Sequence, residues 1–473
     1  MPSGLTKKLL IALMLGSLTT SAFFIRLENF KNTPARSIDE VVYARMAKQV
    51  LEEGLTGYNT IPYAKELAEQ GRPLPNYFFQ PVFKYPPLFT LLIAQSMNIF
   101  GSTPVAVAYV PLLAGVLLIP LTYLLGTLIA NRFVGALAAF LMFMDPVAII
   151  CSQKIWPETT LALFTLLSVA SFIKALKSGD RRYFLVSGLL CGLAANVKYP
   201  GILVAPIGLI FAYFHRGDLL RNKTFLAGAL LPFLMLFPWV LWNWVTYQEN
   251  FFNIQVGLHS FGIQKEVMLS RITKLGILGI ILMILNFYRK KPGAVRSLTA
   301  AIFSKRIATL FLKALVILII IAESDSVWRA FQINTLPLSG WSAGIFTNEW
   351  ASFYFGRLVE FSPLYLFGFA SFLFFRKDLS PGARFLQYAT LGTLFFYVLW
   401  GNYQSRYILT CIPFFLALTA YFIFLLTQKI TAIPQPLYRN ILFFIMAGGI
   451  LYALVKTGMI NQRLSFPNDL CYF

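Results

Sequence analysis

Long apolar runs separated by short polar stretches recur from one end of this chain to the other, and their lengths rather than their periodicity carry the first message. Runs of roughly 17 to 25 residues each match the width of a bilayer hydrocarbon core crossed by a helix. The ten-residue alternating strands of a membrane barrel are not present. The pattern predicts helices over about 8–25, 104–129, 133–150, 158–175, 183–199, 200–214, 224–246, 272–288, 307–322, 361–375, 384–400, 406–427 and 438–457, or about 13 spans. Residues 86–100 carry Thr90, Gln95, Ser96 and Asn98 in a shorter run, which places them at the interface or in a re-entrant position rather than across the membrane.

Charge supports this division. With the amino terminus cytoplasmic, the cytoplasmic loops receive Arg132, then Lys174, Lys177, Arg181 and Arg182, then Arg216, Arg221 and Lys223. The later ones receive Arg289, Lys290, Lys291, Arg296, Lys305 and Arg306, then Arg376, Lys377 and Arg384, and lastly Lys429 and Arg439. That is the positive-inside bias, and letting 86–100 span would invert every later loop. The net charge of +21 therefore has a topological cause and implies no nucleic-acid partner. A composition of 58% hydrophobic and 12% charged residues over 473 positions excludes a water-soluble domain. Lys7-Lys8 and the apolar stretch after them have the build of a signal peptide, but the topology needs this segment as an uncleaved first span. Cys151, Cys191, Cys411 and Cys471 lie far apart with no C-x-x-C pair, so neither a zinc knuckle nor a disulfide framework is implied.

The chain is expected to form one membrane domain over 1–473, with three segments on the non-cytoplasmic face: a first loop at 26–103, a second at 247–271 and a third at 323–360. In the first loop Ser37-Ile38-Asp39-Glu40 opens a helix that runs to Gly54. Ser37 with Glu40 three residues later makes a capping box, and Val42, Met46 and Val50 form an apolar stripe for a helix lying along the membrane. Glu40 then has a structural task, while Asp39 projects from the first turn without one. A pair of acids at a helix start is, taken alone, an ordinary amino-terminal turn.

Asp39-Glu40-x-x-Tyr43-Ala44 after a first span, then Phe83-Lys84-Tyr85-Pro86-Pro87-Leu88 and a segment ending at Phe100-Gly101, resembles the GT-C glycosyltransferases. The similarity is closest to the protein O-mannosyltransferases and the aminoarabinose transferases of lipid A. It extends through Pro157-Glu158, through Gly188-x-x-x-Gly192-Leu193-Ala194 leading to Lys198, and through Ser405-Arg406-Tyr407 with Pro413 beyond. The resemblance implies an all-α polytopic GT-C fold with juxtamembrane helices in the first non-cytoplasmic loop. It also implies transfer of a sugar from a polyprenyl phosphate to a lipid, glycan or protein hydroxyl on that face, in a bacterial or archaeal plasma membrane.

An acceptor hydroxyl needs a base as the anomeric carbon develops oxocarbenium character, and the departing lipid phosphate needs cations. The expected catalytic carboxylates are Asp39, Glu40 and Glu158, with Asp39 as base. The expected phosphate or donor contacts are Lys84, Tyr85, Lys154, Lys198, Arg357, Tyr403, Arg406 and Tyr407. Each cation also has an ordinary role, snorkelling to headgroups or pairing with an acid. In the aminoarabinose transferases an acid and then a lysine precede the proline; here Lys84 is one position out of register and the acid is missing. With only His215 and His259 in the chain, no histidine-rich zinc site can form, and a divalent cation held by Asp39 with His259 is the remaining metal option. The 323–360 segment, with Trp328, Arg329, Trp341, Glu349, Trp350 and Arg357, reads as an interfacial belt or as a lid over the site. No segment calls for a partner chain, so a monomer is expected. The rival reading is a lipid or glycan transporter, against which stands the clustering of charges at span ends rather than at mid-membrane.

Overall fold

The computed structural model describes residues 4–32, 37–72, 76–83, 85–251, 328, 332, 353–374, 379–400 and 404–464. Among these every regular element is helical. In chain order they are α1 (Gly4–Lys31), α2 (Ile38–Glu53), α3 (Ile61–Glu69), α4 (Leu88–Phe100), α5 (Pro104–Ile129), α6 (Arg132–Met144), α7 (Pro146–Ser152) and α8 (Glu158–Ser178). There follow α9 (Arg182–Val197), α10 (Val204–His215), α11 (Lys223–Tyr247), α12 (Phe353–Phe361), α13 (Tyr365–Phe374), α14 (Pro381–Trp400), α15 (Ile412–Thr431) and α16 (Pro436–Leu464).

Six of the helices are long and apolar enough to cross a membrane: α1, α5, α8, α11, α15 and α16. Taken together, α6 and α7, which are bent by 59° at Asp145, have the length and apolar composition of one more span, broken or re-entrant. The sequence pattern predicts one straight helix over 133–150. The break arises because Pro146 cannot donate to the ladder and Asp145 caps the new helix, its Oδ1 accepting from the Ala148 N–H at 2.8 Å. The 361–375 span forms as the single helix α13, with Ser362, Pro363 and Leu364 separating it from α12, and the 406–427 span begins as a 3₁₀ turn, Ser405–Thr410, before α15. Leu88–Phe100, Arg182–Val197 and Tyr199–His215 are shorter apolar helices. The spans expected at 272–288 and 307–322 lie outside the described residues, so the count of 13 is not established.

Two apolar cores organise the bundle. The larger is built from α5 to α8 with α13, α14 and α15, and the smaller joins α2 and α4 to the ends of α9 and α11. Backbones come closest where α9 meets α11: a Cβ on Gly188 would sit 2.0 Å from the Gly228 carbonyl oxygen. Large apolar side chains on α1 and α16, among them Leu13, Phe24, Phe444 and Ile445, face outward. A bilayer supplies the solvent that such surfaces require.

Candidate active site

The site is assembled where α1 ends and the first loop begins, and its foundation is the capping box. The Glu40 Oε2 accepts from the Ser37 N–H at 2.9 Å and from the Ser37 hydroxyl at 3.1 Å, so the first turn of α2 forms as its sequence predicts. The other oxygen does something the local sequence cannot announce. It accepts from the Ile155 N–H at 3.2 Å, in the turn between α7 and α8. Lys154 Nζ approaches Glu40 Oε2 at 3.7 Å, and the Trp156 indole donates to Ser37 Oγ at 3.4 Å. Glu40 is wholly buried. It is therefore a clamp between the first loop and the bundle, with Lys154 as its counter-ion.

That clamp places Asp39 at the surface beside the bundle. Its side chain is 51% exposed, and Arg406 Nη2 donates to its Oδ2 at 2.9 Å. Arg406 is held from several directions: its Nε donates to Gln404 Oε1 at 2.6 Å and lies 3.7 Å from Glu158 Oε1, and its guanidinium stacks over the Trp156 ring at 4.6 Å. Glu158, on the first turn of α8 and 1% exposed, accepts from Lys198 Nζ at 2.9 Å through the same oxygen. Its second oxygen is buried without a hydrogen-bond partner among the described residues. Lys198 Nζ in turn sits over the rings of Tyr407 at 4.2 Å and Tyr85 at 5.4 Å.

Two cations thus converge on one buried carboxylate, and one of them reaches outward to a second, exposed carboxylate. Burial raises the Tyr43 and Tyr85 phenols far above the usual tyrosine range, so both remain neutral donors. Tyr85 is fixed by the turn around it. Tyr58 Oη donates to the Tyr85 carbonyl at 3.0 Å and to that of Pro86 at 3.3 Å, and Val82 is bonded to the Tyr247 hydroxyl.

Of the residues expected at the site, Asp39, Glu158, Lys198, Arg406, Tyr85 and Tyr407 meet in one cluster. Glu40 and Lys154 support it from below. Arg357 is occupied elsewhere, donating to Glu360 one turn along α12 at 3.0 Å. Lys84, Tyr403 and His259, and most of the 323–360 lid segment, lie outside the described residues. Sequence reasoning did not single out Trp156 or Gln404, the two side chains that orient Arg406. The signal available for Trp156 was its place in Ile155-Trp156-Pro157-Glu158, directly before an expected site acid.

Among the described residues no group of three His, Cys, Asp or Glu side chains is placed to hold a metal ion. Among the described residues the cations in contact with Asp39 and Glu158 are Arg406 and Lys198, and His259, the other residue of the expected metal pair, lies outside them.

This architecture has counterparts among solved structures. The archaeal oligosaccharyltransferase AglB from Archaeoglobus fulgidus, described in complex with an inhibitory peptide and a dolichol-phosphate, superposes with a TM-score of 0.56. The match is at 16% identity, over 97% of this chain and 56% of that one. ArnT from Cupriavidus metallidurans superposes with a TM-score of 0.51 at 12% identity, over 99% of this chain and 77% of that one. The fold is thus that of an integral membrane protein of the GT-C type. Residues 84–242 match the model of the dolichyl-phosphate-mannose-protein mannosyltransferase family. Protein O-mannosyl-transferase 1 of Danio rerio is 31% identical over 137 residues, 28% of this chain and 19% of that protein. The chain spans well under half the length of the curated relatives it matches. The fold is thus shared with these structures along almost the whole chain, and residues 84–242 add a local similarity to the mannosyltransferase family.

Proposed function

We propose that this chain transfers a sugar from a polyprenyl-phosphate carrier to a hydroxyl acceptor, on the non-cytoplasmic face of a cell membrane, with Asp39 as the base. The observation that carries the proposal is the shared arginine: Arg406 bridges exposed Asp39 and buried Glu158 beside Lys198. The singly charged phosphodiester of the donor, arriving next to Lys198 and Arg406, finds two fixed donors, one of them able to grip two oxygens, and they are in place for the second charge that forms as the phosphate leaves. The lipid phosphates bound in the neighbouring structures agree with that chemistry: dolichol-phosphate in AglB and undecaprenyl phosphate in ArnT.

The reaction balances simply. The bond between the anomeric carbon and the phosphate oxygen breaks, its electron pair passing to the phosphate. The acceptor oxygen bonds to the anomeric carbon, and its proton goes to Asp39. A carboxylate paired with arginine is a weak base. Recruitment of Arg406 by the incoming phosphate would loosen the 2.9 Å contact to Asp39 and raise its basicity when donor is bound. Lys198 and Arg406 then meet the charge growing on the leaving group, and Glu158 keeps both in place. No step is routed through a metal.

The test is direct. Purified full-length protein in nanodiscs is given a panel of radiolabelled polyprenyl-phosphate monosaccharides with lipid, glycan and hydroxyl-peptide acceptors. Label should pass to one acceptor class and leave free polyprenyl phosphate, and Asp39→Asn should abolish this. Carriers left intact with every acceptor, or normal turnover by the variant, would overturn the proposal.

A further inference from the structure

A second charged feature lies at the same end of the bundle and takes no part in the cluster above. Arg26, near the end of α1, is 1% exposed, among the most completely buried large side chains of the protein. Its Nη1 and Nη2 have no hydrogen-bond partner among the described residues. A buried guanidinium without partners costs several kcal/mol, more than an ordinary surface mutation, so its retention calls for a compensating ligand.

The obvious internal partner is engaged elsewhere. Asp145 acts on Arg26 electrostatically, but its Oδ1 accepts from the Ala148 N–H at 2.8 Å and its Oδ2 from the Tyr365 hydroxyl at 2.5 Å. The other buried cation near this end, Lys456 of α16, donates to the Gln332 carbonyl. Neither satisfies Arg26.

Arg26 borders a cavity of about 210 Å³ between α1, the broken α6–α7 span and α16, where Ile25, Ile149, Gly458, Asn461 and Gln462 also contribute walls. That volume is below the roughly 300 Å³ at which pockets for whole drug-sized ligands begin, so it suits a head group and not an entire lipid. Its polar wall is Arg26 with the amides of Asn461 and Gln462 and no carboxylate; the Asn461 Nδ2 already donates one N–H to the Met144 carbonyl at 2.7 Å. Its neighbours on the outer faces of α1 and α16 are exposed apolar side chains, Phe24 and Ile25 on one and Leu451 and Val455 on the other, along which a hydrocarbon tail can lie. The turn after α7 serves the cluster through Lys154 and Trp156, while α7 itself walls this cavity through Ile149.

We infer that the α1/α6–α7/α16 cavity is a binding site for a phosphate-type oxyanion, contacted by Arg26 and presented by a lipid head group whose tails lie against α1 and α16. The site is separate from the proposed donor site, and its test reads binding rather than turnover, so failure of one leaves the other standing.

Full-length protein in detergent, stripped of native lipid, is titrated with phosphatidylglycerol, with diacylglycerol as the uncharged control, and with inorganic phosphate. Retention is read by native mass spectrometry for the lipids and by thermal shift for phosphate. The wild type should hold phosphatidylglycerol at least tenfold more tightly than Arg26→Gln, with Arg26→Lys between them and diacylglycerol indifferent to all three. Arg26-dependent binding of phosphate without lipid retention would assign the same oxyanion site to a free anion. Gly458→Leu provides a variant that keeps the arginine: a Cβ there meets only the end of Met144 at 3.7 Å, so the longer side chain fills the cavity and should displace the ligand. Phosphatidylglycerol binding that is equal in wild type, Arg26→Gln and Gly458→Leu, with no Arg26-dependent phosphate binding, would overturn the inference.

Discussion

Glu158→Gln is the most informative single perturbation, because it keeps the side-chain shape and removes only the charge on which two cations converge. Glu158 is 1% exposed, Lys198 is 10% exposed in its side chain and bonded at 2.9 Å, and Arg406 lies at 3.7 Å. Removing one member of a buried pair costs about 3 to 5 kcal/mol, because the partner is left buried and uncompensated. Two features place the value near the lower limit: Arg406 keeps its second contact to Asp39, and glutamine retains an acceptor for Lys198. About 3 kcal/mol is therefore expected in unfolding free energy, measured by SDS titration of the protein in mixed micelles.

The interaction is isolated by a double-mutant cycle with Lys198→Met. If the contact is as close as 2.9 Å, the double variant should be less destabilised than the sum of the singles by about 2 kcal/mol, within the range for contacting residues. Additive losses to within about 0.5 kcal/mol would refute the reasoning, since that is what independent sites give.

Three further outcomes are expected. Asp39→Asn should lower turnover by about 10²- to 10⁴-fold, the usual contribution of a general base, with donor binding retained in an equilibrium binding assay. Gly188→Leu should weaken α9–α11 packing by about 1 to 3 kcal/mol or more, since even a Cβ would meet the Gly228 carbonyl at 2.0 Å; a thermal midpoint unchanged from wild type would contradict this contact. For pH, burial raises the Tyr43 and Tyr85 pKa values above that of an exposed tyrosine, so the folded state binds more protons than the unfolded one once pH passes about 10. The stability these groups give is complete below that pH and is lost as pH rises toward the folded values. Tyr85→Phe should flatten the loss seen in alkaline unfolding curves.

How much of this could be read from the sequence depends on the range of the interaction. Span positions at 104–129, 158–175 and 224–246 follow from local hydropathy, and their helices form there. The capping box at Ser37 and Glu40 is also local and forms as written. The members of the cluster were also named from their motifs; what escaped was which of them pair, and the contacts that link the first loop to the bundle. Glu40 reaches Lys154 and Ile155 across more than a hundred residues, and nothing near Glu40 distinguishes an acid that only caps a helix from one that also clamps a turn. Asp145-Pro146 does carry a local sign of the break in the 133–150 span, but apolar length outweighed it. Arg26 falls at the boundary between the 8–25 run and the first loop, and nothing near it in sequence marks its burial beside a cavity walled by α6, α7 and α16.

The arrangement around Arg406 also bears on specificity in time, which no list of site residues conveys. Asp39 is both exposed and paired, so water reaches it while Arg406 holds one of its oxygens at 2.9 Å. A base left strong in this state would be ready to activate water against any donor that bound, and hydrolysis would compete with transfer. Arg406 couples the two events under the proposed chemistry, since the phosphate that brings the sugar is the ligand that competes with Asp39 for the guanidinium. Glu158 is what makes the exchange limited: buried and also bonded to Lys198, it keeps Arg406 within reach of both positions whichever oxygen it holds. Shortening Arg406 to lysine retains a charge but loses the fork that spans two partners. Arg406→Lys is accordingly expected to raise the ratio of hydrolysis to transfer, read as free sugar against labelled acceptor. A fall in both rates at an unchanged ratio would show that Arg406 binds phosphate without controlling the base.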